Sequence, residues 1–323
     1  AIGDTVIDAF IKLEEATVNC DISEEHCTIT MAFGDKIPYE SVEVIPAVGN
    51  SANAAVSAAR LGLSSALVTN LGKDKNGEEC LEHLKADKVD TQFISLQEGK
   101  KTNYHYVLWY EKDRTILVKH EAFEYKLPDL GEPKWLYLSS LGENTLDFQL
   151  AIGEYVKAHP SIKLAFQPGT FQLKLGAEKL KDIYANTEIF FCNVEEAERI
   201  LNMNTLGNEE LLKRVQALGP KIVVITDGPK GAYAYDGTNM YFQPPFPDQK
   251  PAYERTGAGD AFASTAVVAL VLGKDLPTAL QWGSVNSMSV VQDVGAQKGL
   301  LTLEKLEEYI RFAPPEFQTK KLS

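Results

Sequence analysis

Cysteine is scarce, with four in 323 residues, and no two stand in a CxxC pair. The spacing therefore indicates neither a zinc site nor a disulfide framework. Cys192, in the apolar run EIFFC, reads as a small buried hydrophobe. A Cys20–Cys27 bridge is allowed by the short spacing but not expected. Histidine is almost as sparse, at five, and no Ser/His/Asp order is evident. His105 and His120 fall in strand-like segments, which gives them a structural or ligand-facing role rather than a catalytic one. No run of about 18 apolar residues exists to span a membrane, and the N-terminus has no charged-then-apolar signal pattern. The cytoplasm is the expected location, although AIGDTVID begins as though part of a strand preceded it. Basic residues are outnumbered 32 to 45, for a net charge of −13. That balance argues against a nucleic-acid polyanion as the main partner. A GxxxxGK[ST] match is also missing, so any phosphate chemistry is not of the Walker type.

What is present is an ordinary globular composition, 44% hydrophobic, enough for a sizeable core. Short apolar runs at 65–70, 134–140, 163–168, 188–193 and 221–228 alternate with helical segments at 50–63, 146–159, 195–202 and 208–219. Their β-branched and aromatic content predicts parallel strands covered on both faces, hence an α/β fold with a mostly parallel central sheet. Two aromatic-rich stretches, 11–46 and 101–123, lack intervening helices and predict a small β-sheet lid, with EKD (111–113) as a hairpin turn. No linker or repeat divides the chain. A single domain over 1–323 with lid insertions is expected.

One stretch carries the chemistry: RTGAGDAFAS, residues 255–264, a glycine-rich turn opening a helix with Asp260 in its first turn. Gly257 and Gly259 allow close approach of backbone to an anion, and helix-start amides point outward. An acid beside a phosphate is unfavourable unless it accepts a proton from an attacking hydroxyl. The bland alternative is close helix packing with an ordinary first-turn Asp.

Four further patches stand in order around it: GDTVID (3–8), VGNSANAAVSAARLGL (48–63), NVEE (193–196) and TDGPKGAYAY (226–235). Together with the TGAGD turn they closely resemble the ribokinase-like, or PfkB, family of sugar and nucleoside kinases over essentially the whole chain. The resemblance implies a three-layer ribokinase-like fold and an ATP- and magnesium-dependent phosphotransfer to an alcohol. It implies Asp260 as general base and the amides of Gly257, Ala258 and Gly259 as anion hole. Asp8, Gly49, Asn50 and Asn53 would bind the substrate hydroxyls, with N-capping as the rival role for Asn50. Asn193, Thr226, Gly228 and Gly231 would line the nucleotide side. Glu196 would position Mg2+ through water, against the alternative of an ordinary acidic helix start. Lys230 either adds charge to phosphates or projects into solvent.

Two departures from the family pattern stand out. Val48 replaces the first of a usual glycine pair, which changes the pocket floor. Glu254 and Arg255 precede the threonine of the turn, where relatives commonly carry Asp two residues before it. That acid serves a monovalent cation in some relatives, so K+ activation is left open. Arg255 either contacts ATP phosphates or neutralises Glu254. By the same resemblance Ser284 or Asn286 lies near the base, with Gly295 and Ala296 in the adjoining loop. Tyr104, Tyr106, Trp109, Arg114 and His120 are lid residues that face the substrate, the sheet core or a dimer contact. The expected acceptor is a hydroxymethyl group of a small sugar or derivative. Alternatives are a nucleoside, or a non-catalytic sugar- or nucleotide-binding regulator. A homodimer through the lid would cover exposed strand edges.

Overall fold

The computed structural model describes residues 1–20, 27–111, 113–204 and 206–322. The lid is built on β1 (Val6–Leu13), which pairs antiparallel with β4 (Tyr39–Val48) and parallel with β7 (Asn103–Tyr110); β8 (Asp113–Leu117) completes the order β4-β1-β7-β8. Asp8, Phe10, His105 and Val107 alternate onto one face of these paired strands, because Asp8 sits opposite His105 and Phe10 opposite Val107. Val42, Val44, Tyr106 and Leu117 lie on the other face and are exposed. Between β7 and β8, Glu111 takes φ +53° and Asp113 is already paired with Tyr110; Lys112, in the expected EKD turn, lies outside the described residues. β1 runs on past Asp8, its third residue, into the lid.

β2 (Thr17–Cys20) and β3 (Cys27–Thr30) form a separate hairpin whose register sets Cys20 directly opposite Cys27. The two are joined by a disulfide, contrary to expectation, because antiparallel pairing closes a separation that the sequence leaves open.

The strand expected at 65–70 also shifts. β5 (Thr69–Gly72) pairs parallel with β6 (Ile94–Gln97) in a two-stranded sheet, and reaches the main sheet only through single bridges from Ile2 to Val68 and to Leu138. The main sheet has β9 (Trp135–Leu138), β10 (Lys163–Phe166), β11 (Thr187–Asn193) and β12 (Ile222–Thr226) in parallel. β13 (Ala232–Tyr235), β14 (Met240–Gln243) and β15 (Lys320–Lys321) extend it antiparallel. The run Ile189-Phe190-Phe191-Cys192 in β11 is buried throughout, as a central strand covered on both faces requires.

Ten helices have been placed among the described residues. α1 (Asn50–Arg60), α2 (Lys75–Ala86), α3 (Leu146–Ala158), α4 (Thr170–Leu175), α5 (Lys181–Ala185), α6 (Val194–Leu201) and α7 (Asn208–Gln216) precede α8 (Ala258–Val271), α9 (Leu276–Val290) and α10 (Leu303–Arg311). One face of the main sheet packs Ala165, Phe191 and Val224 against Ala266 and Ala269 of α8 and Ala279 and Leu280 of α9. The other packs Phe166, Phe190 and Val223 against Ile152 of α3, Ile183 of α5 and Leu211 of α7. Every residue of α8 from Ala261 to Ala269 is buried, and the small ones among them, Ala261, Ser264 and Thr265, let α1 approach closely enough for Ser57 Oγ to lie 3.3 Å from Thr265 Oγ1. That approach brings the N-termini of α1 and α8 together.

Candidate active site

The meeting of those two helices creates the site. Asp260, three residues into α8, accepts from Asn50 Nδ2 at 2.8 Å and Gln167 Nε2 at 3.0 Å on Oδ1, and from Asn53 Nδ2 at 2.8 Å on Oδ2. A carboxylate offers about four lone-pair positions. Three are filled by amide donors, so the open one is on Oδ2. Burial pushes the Asp260 carboxyl up from its ordinary value, and the bonds from Asn53, Gln167 and Asn50 hold it back in part. Asn50 is therefore not a cap: Gly49 occupies the N-cap position with no side-chain bond. Asn50 and Asn53 each spend one amide N–H on Asp260, which leaves the second N–H of each Nδ2 for another acceptor. Both residues expected to contact substrate thus also hold the Asp260 carboxylate.

The turn before α8 leaves its amides open. Gly257 adopts φ +80°, and a Cβ there would meet Ala296 Cβ at 2.3 Å, so only glycine fits. The first residue to close a helical bond is Ala261, to Gly257 O at 2.8 Å; Ala258 N–H reaches Arg255 O only at 3.4 Å. No side chain caps this helix. The start of α8 thus presents unsatisfied N–H groups and the positive end of its dipole.

Beside it lies a cleft of about 450 Å³ whose polar end is Thr226, Gly228, Gly231, Arg255, Ala258 and Gly259. Its apolar end is formed by Phe246, Met288 and Val291, with Ser284 and Ser287 between. Asn286 does not belong here. It is fully buried, donating to Thr265 Oγ1 at 2.7 Å and accepting from Leu301 N–H at 3.0 Å, because its face of α9 turns toward α8. Gly295 and Ala296 pack against Ile45 and Gly257 rather than lining the cleft.

Asn193 and Glu196 begin α6 as a reciprocal capping box: Glu196 N–H donates to Asn193 Oδ1 at 2.8 Å and Asn193 N–H to Glu196 Oε2 at 2.9 Å. Burial raises the Glu196 carboxyl, and the charge of Asp260 adds to the rise. Arg255 is not the partner of Glu254. Glu254 Oε1 accepts from Thr256 N–H at 2.8 Å and Thr256 Oγ1 at 2.6 Å, and the lid's Arg114 Nε lies 3.5 Å from it.

At the lid side, Gly49 takes φ +113° where a Cβ would meet Asp4 O at 2.7 Å. Asp4 is committed, accepting from Tyr125 Oη and from Gly142 N–H at 2.7 Å each, with His120 Nδ1 at 3.3 Å. Asp8 lies 3.5 Å from His105 Nδ1, and its Oδ1 makes no hydrogen bond among the described residues. Trp109 belongs to the packing of Phe10, Val107 and Val294, and Tyr106 is exposed on the outer lid face. Gln167 was missed by sequence reasoning, although a polar residue directly after the apolar strand KLAF marks the same sheet edge as Asn193 and Thr226.

This is the architecture of a phosphotransferase: an α/β sheet, an open helix start and a half-buried acid beside it. The model of the pfkB family of carbohydrate kinases matches residues 15–303, and the chain belongs to that family. It is 28% identical over 286 residues to the ribokinase of Bacillus subtilis, covering 86% of this chain and 92% of that one. The 5-dehydro-2-deoxygluconokinase of the same organism is 27% identical over 281 residues, covering 81% and 86%. The nucleoside kinase of Methanocaldococcus jannaschii is 27% identical over 264 residues, covering 80% and 84%. Among solved structures, Arabidopsis thaliana ribokinase complexed with ribose and ATP superposes with a TM-score of 0.80 at 19% identity, covering 97% and 98%. The protein is a sugar or nucleoside kinase with the ribokinase fold.

Proposed function

We propose that the chain transfers the γ-phosphoryl group of ATP to a hydroxymethyl group of a small sugar or sugar derivative. The observation that carries this is the single open lone pair on Asp260 Oδ2 beside the uncapped start of α8. The acceptor O–H gives its proton to Oδ2 as its oxygen forms a bond to the γ-phosphorus. The bond from that phosphorus to the bridging oxygen breaks, and ADP leaves with the electron pair. The amides of Gly257, Ala258 and Gly259 stabilise charge on the transferred group. Thr226, Gly228, Gly231 and Arg255 face the phosphates, and the apolar end of the cleft suits a base.

A divalent cation fits the donor set in one respect. The charge of Asp260 adds to the rise of the Glu196 carboxyl, and among the described residues no basic residue is hydrogen-bonded to either and no cluster of three or more ligands exists. Glu196, or Asn193 beside it, would therefore hold Mg2+ through water, and the ion would neutralise phosphate charge when bound. At Glu254 the lid's Arg114 already supplies a positive charge, which disfavours K+ as an obligatory neutralising ion there.

Asp8 and Gly49 bound the acceptor side. The nucleoside reading is kept because of the similarity to the Methanocaldococcus jannaschii nucleoside kinase. ADP formation measured with ribose, fructose, 2-keto-3-deoxygluconate, 5-dehydro-2-deoxygluconate and adenosine tests the proposal. Formation that depends on a sugar supports it, a preference for adenosine moves it to nucleosides, and none with any acceptor leaves a binding protein. The exposed Val42, Val44, Tyr106 and Leu117 on the outer lid face are proposed to pair with a second copy in the cytoplasm. Light scattering that returned a monomer would reject that pairing. No helix among the described residues is long and apolar enough to cross a membrane.

A further inference from the structure

Asp260 stands at the end of a chain of amides that begins at a backbone carbonyl. Gln297, 2% exposed in the loop after α9, donates from Nε2 to Ala47 O at 2.7 Å and to Asn53 Oδ1 at 3.0 Å. A carbonyl can only accept, so the nitrogen of Gln297 must face Ala47, and this fixes which way the amide points. Its second proton then requires the oxygen of Asn53. Asn53 in turn must present Nδ2 to Asp260. The far side of Gln297 is tied as well: Oε1 lies 2.8 Å from His83 Nε2, and the backbone carbonyl of Gln297 accepts from Arg60 Nη1 at 2.6 Å. Arg60 is itself held by Asp87 through two bonds of 2.7 and 3.0 Å.

We infer that Gln297 is a positioning residue for the phosphotransfer, acting through Asn53 to keep Asp260 an acceptor only. The inference rests on Asp260 being the base. Its physical content is that Asn53, held from behind, cannot turn its oxygen toward Asp260. Once the carboxyl takes up a proton, that proton finds no acceptor in Asn53 and stays on the open Oδ2 position, where it entered and from which it leaves. Without Gln297, Asn53 is free to flip and accept from a protonated Asp260, which would stabilise the wrong protonation state. The titratable groups nearest Asp260 are Glu196 on α6 and Tyr137 on β9, and those around Gln297 are His83 and Asp87 on α2 and Arg60 on α1.

The test uses the full chain with Gln297→Met, which removes the relay without adding charge, and Gln297→Glu, which keeps the shape but repels Asn53 Oδ1. Loss of one hydrogen bond to a charged group predicts kcat lowered about tenfold with KM for ATP nearly unchanged. In an Asn53→Ala background the same substitutions should produce no further loss, since nothing is left to position. An equal loss in both backgrounds, or parental kcat, overturns the inference. If Gln297→Met does not fold, Gln297→Glu carries the comparison. A readout without turnover separates this from the kinase assignment: the 13C titration of the Asp260 carboxyl in metal-free buffer, identified by its disappearance in Asp260→Asn. Its midpoint should rise in Gln297→Met. An unchanged midpoint overturns the relay even where the kinase activity is established, and a risen midpoint supports it even if no acceptor is phosphorylated.

Discussion

Helices α6 and α8 begin close enough for Glu196 and Asp260 to feel each other's charge, yet they treat their own first turns in opposite ways. α6 satisfies itself: Asn193 and Glu196 exchange bonds with each other's backbone. α8 starts from a left-handed Gly257 with no side-chain cap, and its acid is turned sideways to receive amides from α1 and from the loop after β10. An acid in a helix's first turn thus has two destinations. Where it bends back to its own helix it stabilises that helix, and where distant donors hold it away, the amides stay open for an anion.

Asp260→Asn is the sharpest way to break this contrast, and kcat should fall about 10²- to 10⁴-fold with the fold retained by circular dichroism. The raised Asp260 carboxyl also fixes the sign of the pH dependence. Activity needs the carboxylate, so kcat should drop as pH falls through a value higher than that of an ordinary aspartate, and Asp260→Asn should lack that limb. For stability the sign is opposite. A raised folded-state carboxyl contributes stability below its unfolded value, and loses it as pH rises through the folded one. Gly257→Ala should come next, costing about 1–3 kcal/mol of stability by thermal melting as the new Cβ collides with Ala296 at a positive φ. A variant with parental melting temperature would show that the open start of α8 does not depend on glycine.

Glu196 sharpens the other half. Glu196→Gln keeps an acceptor for Asn193 N–H and should leave the melting temperature nearly unchanged while raising the Mg2+ concentration needed for half-maximal rate. Glu196→Ala should lose about 1 kcal/mol of stability in addition. Unchanged Mg2+ dependence in Glu196→Gln would reduce α6 to a self-capped helix. The smallest effect is expected from exchanging K+ for choline, which should scarcely alter kcat because Arg114 faces Glu254. A strong loss would restore a cation to that turn.

Local chemistry was legible in the chain. TGAGD announced an uncapped helix start, EIFFC a strand buried on both faces, and aromatic alternation near 103–117 a hairpin in the lid. Each depends on residues adjacent in sequence, where backbone geometry and hydrophobic period decide the outcome. Asn50 and Asn53 were legible as site residues, but their bonds to Asp260 were not. Their partner lies 210 and 207 positions away, and an amide's choice between a sugar and a carboxylate is made by which helix packs beside it. Asn286 failed for the same reason, one face of α9 being indistinguishable from the next without knowing where α8 lies.

The sequence by itself determined the class of fold and the place of the glycine turn that opens α8 with Asp260 in its first turn. Only tertiary structure decided how that acid is held. The small residues of α1 and α8 let two helix starts meet, and Gln297, 244 positions from Asn53, closes behind them. Hydrogen bonds between side chains are short-ranged and directional, so their partners exist only after the chain has folded.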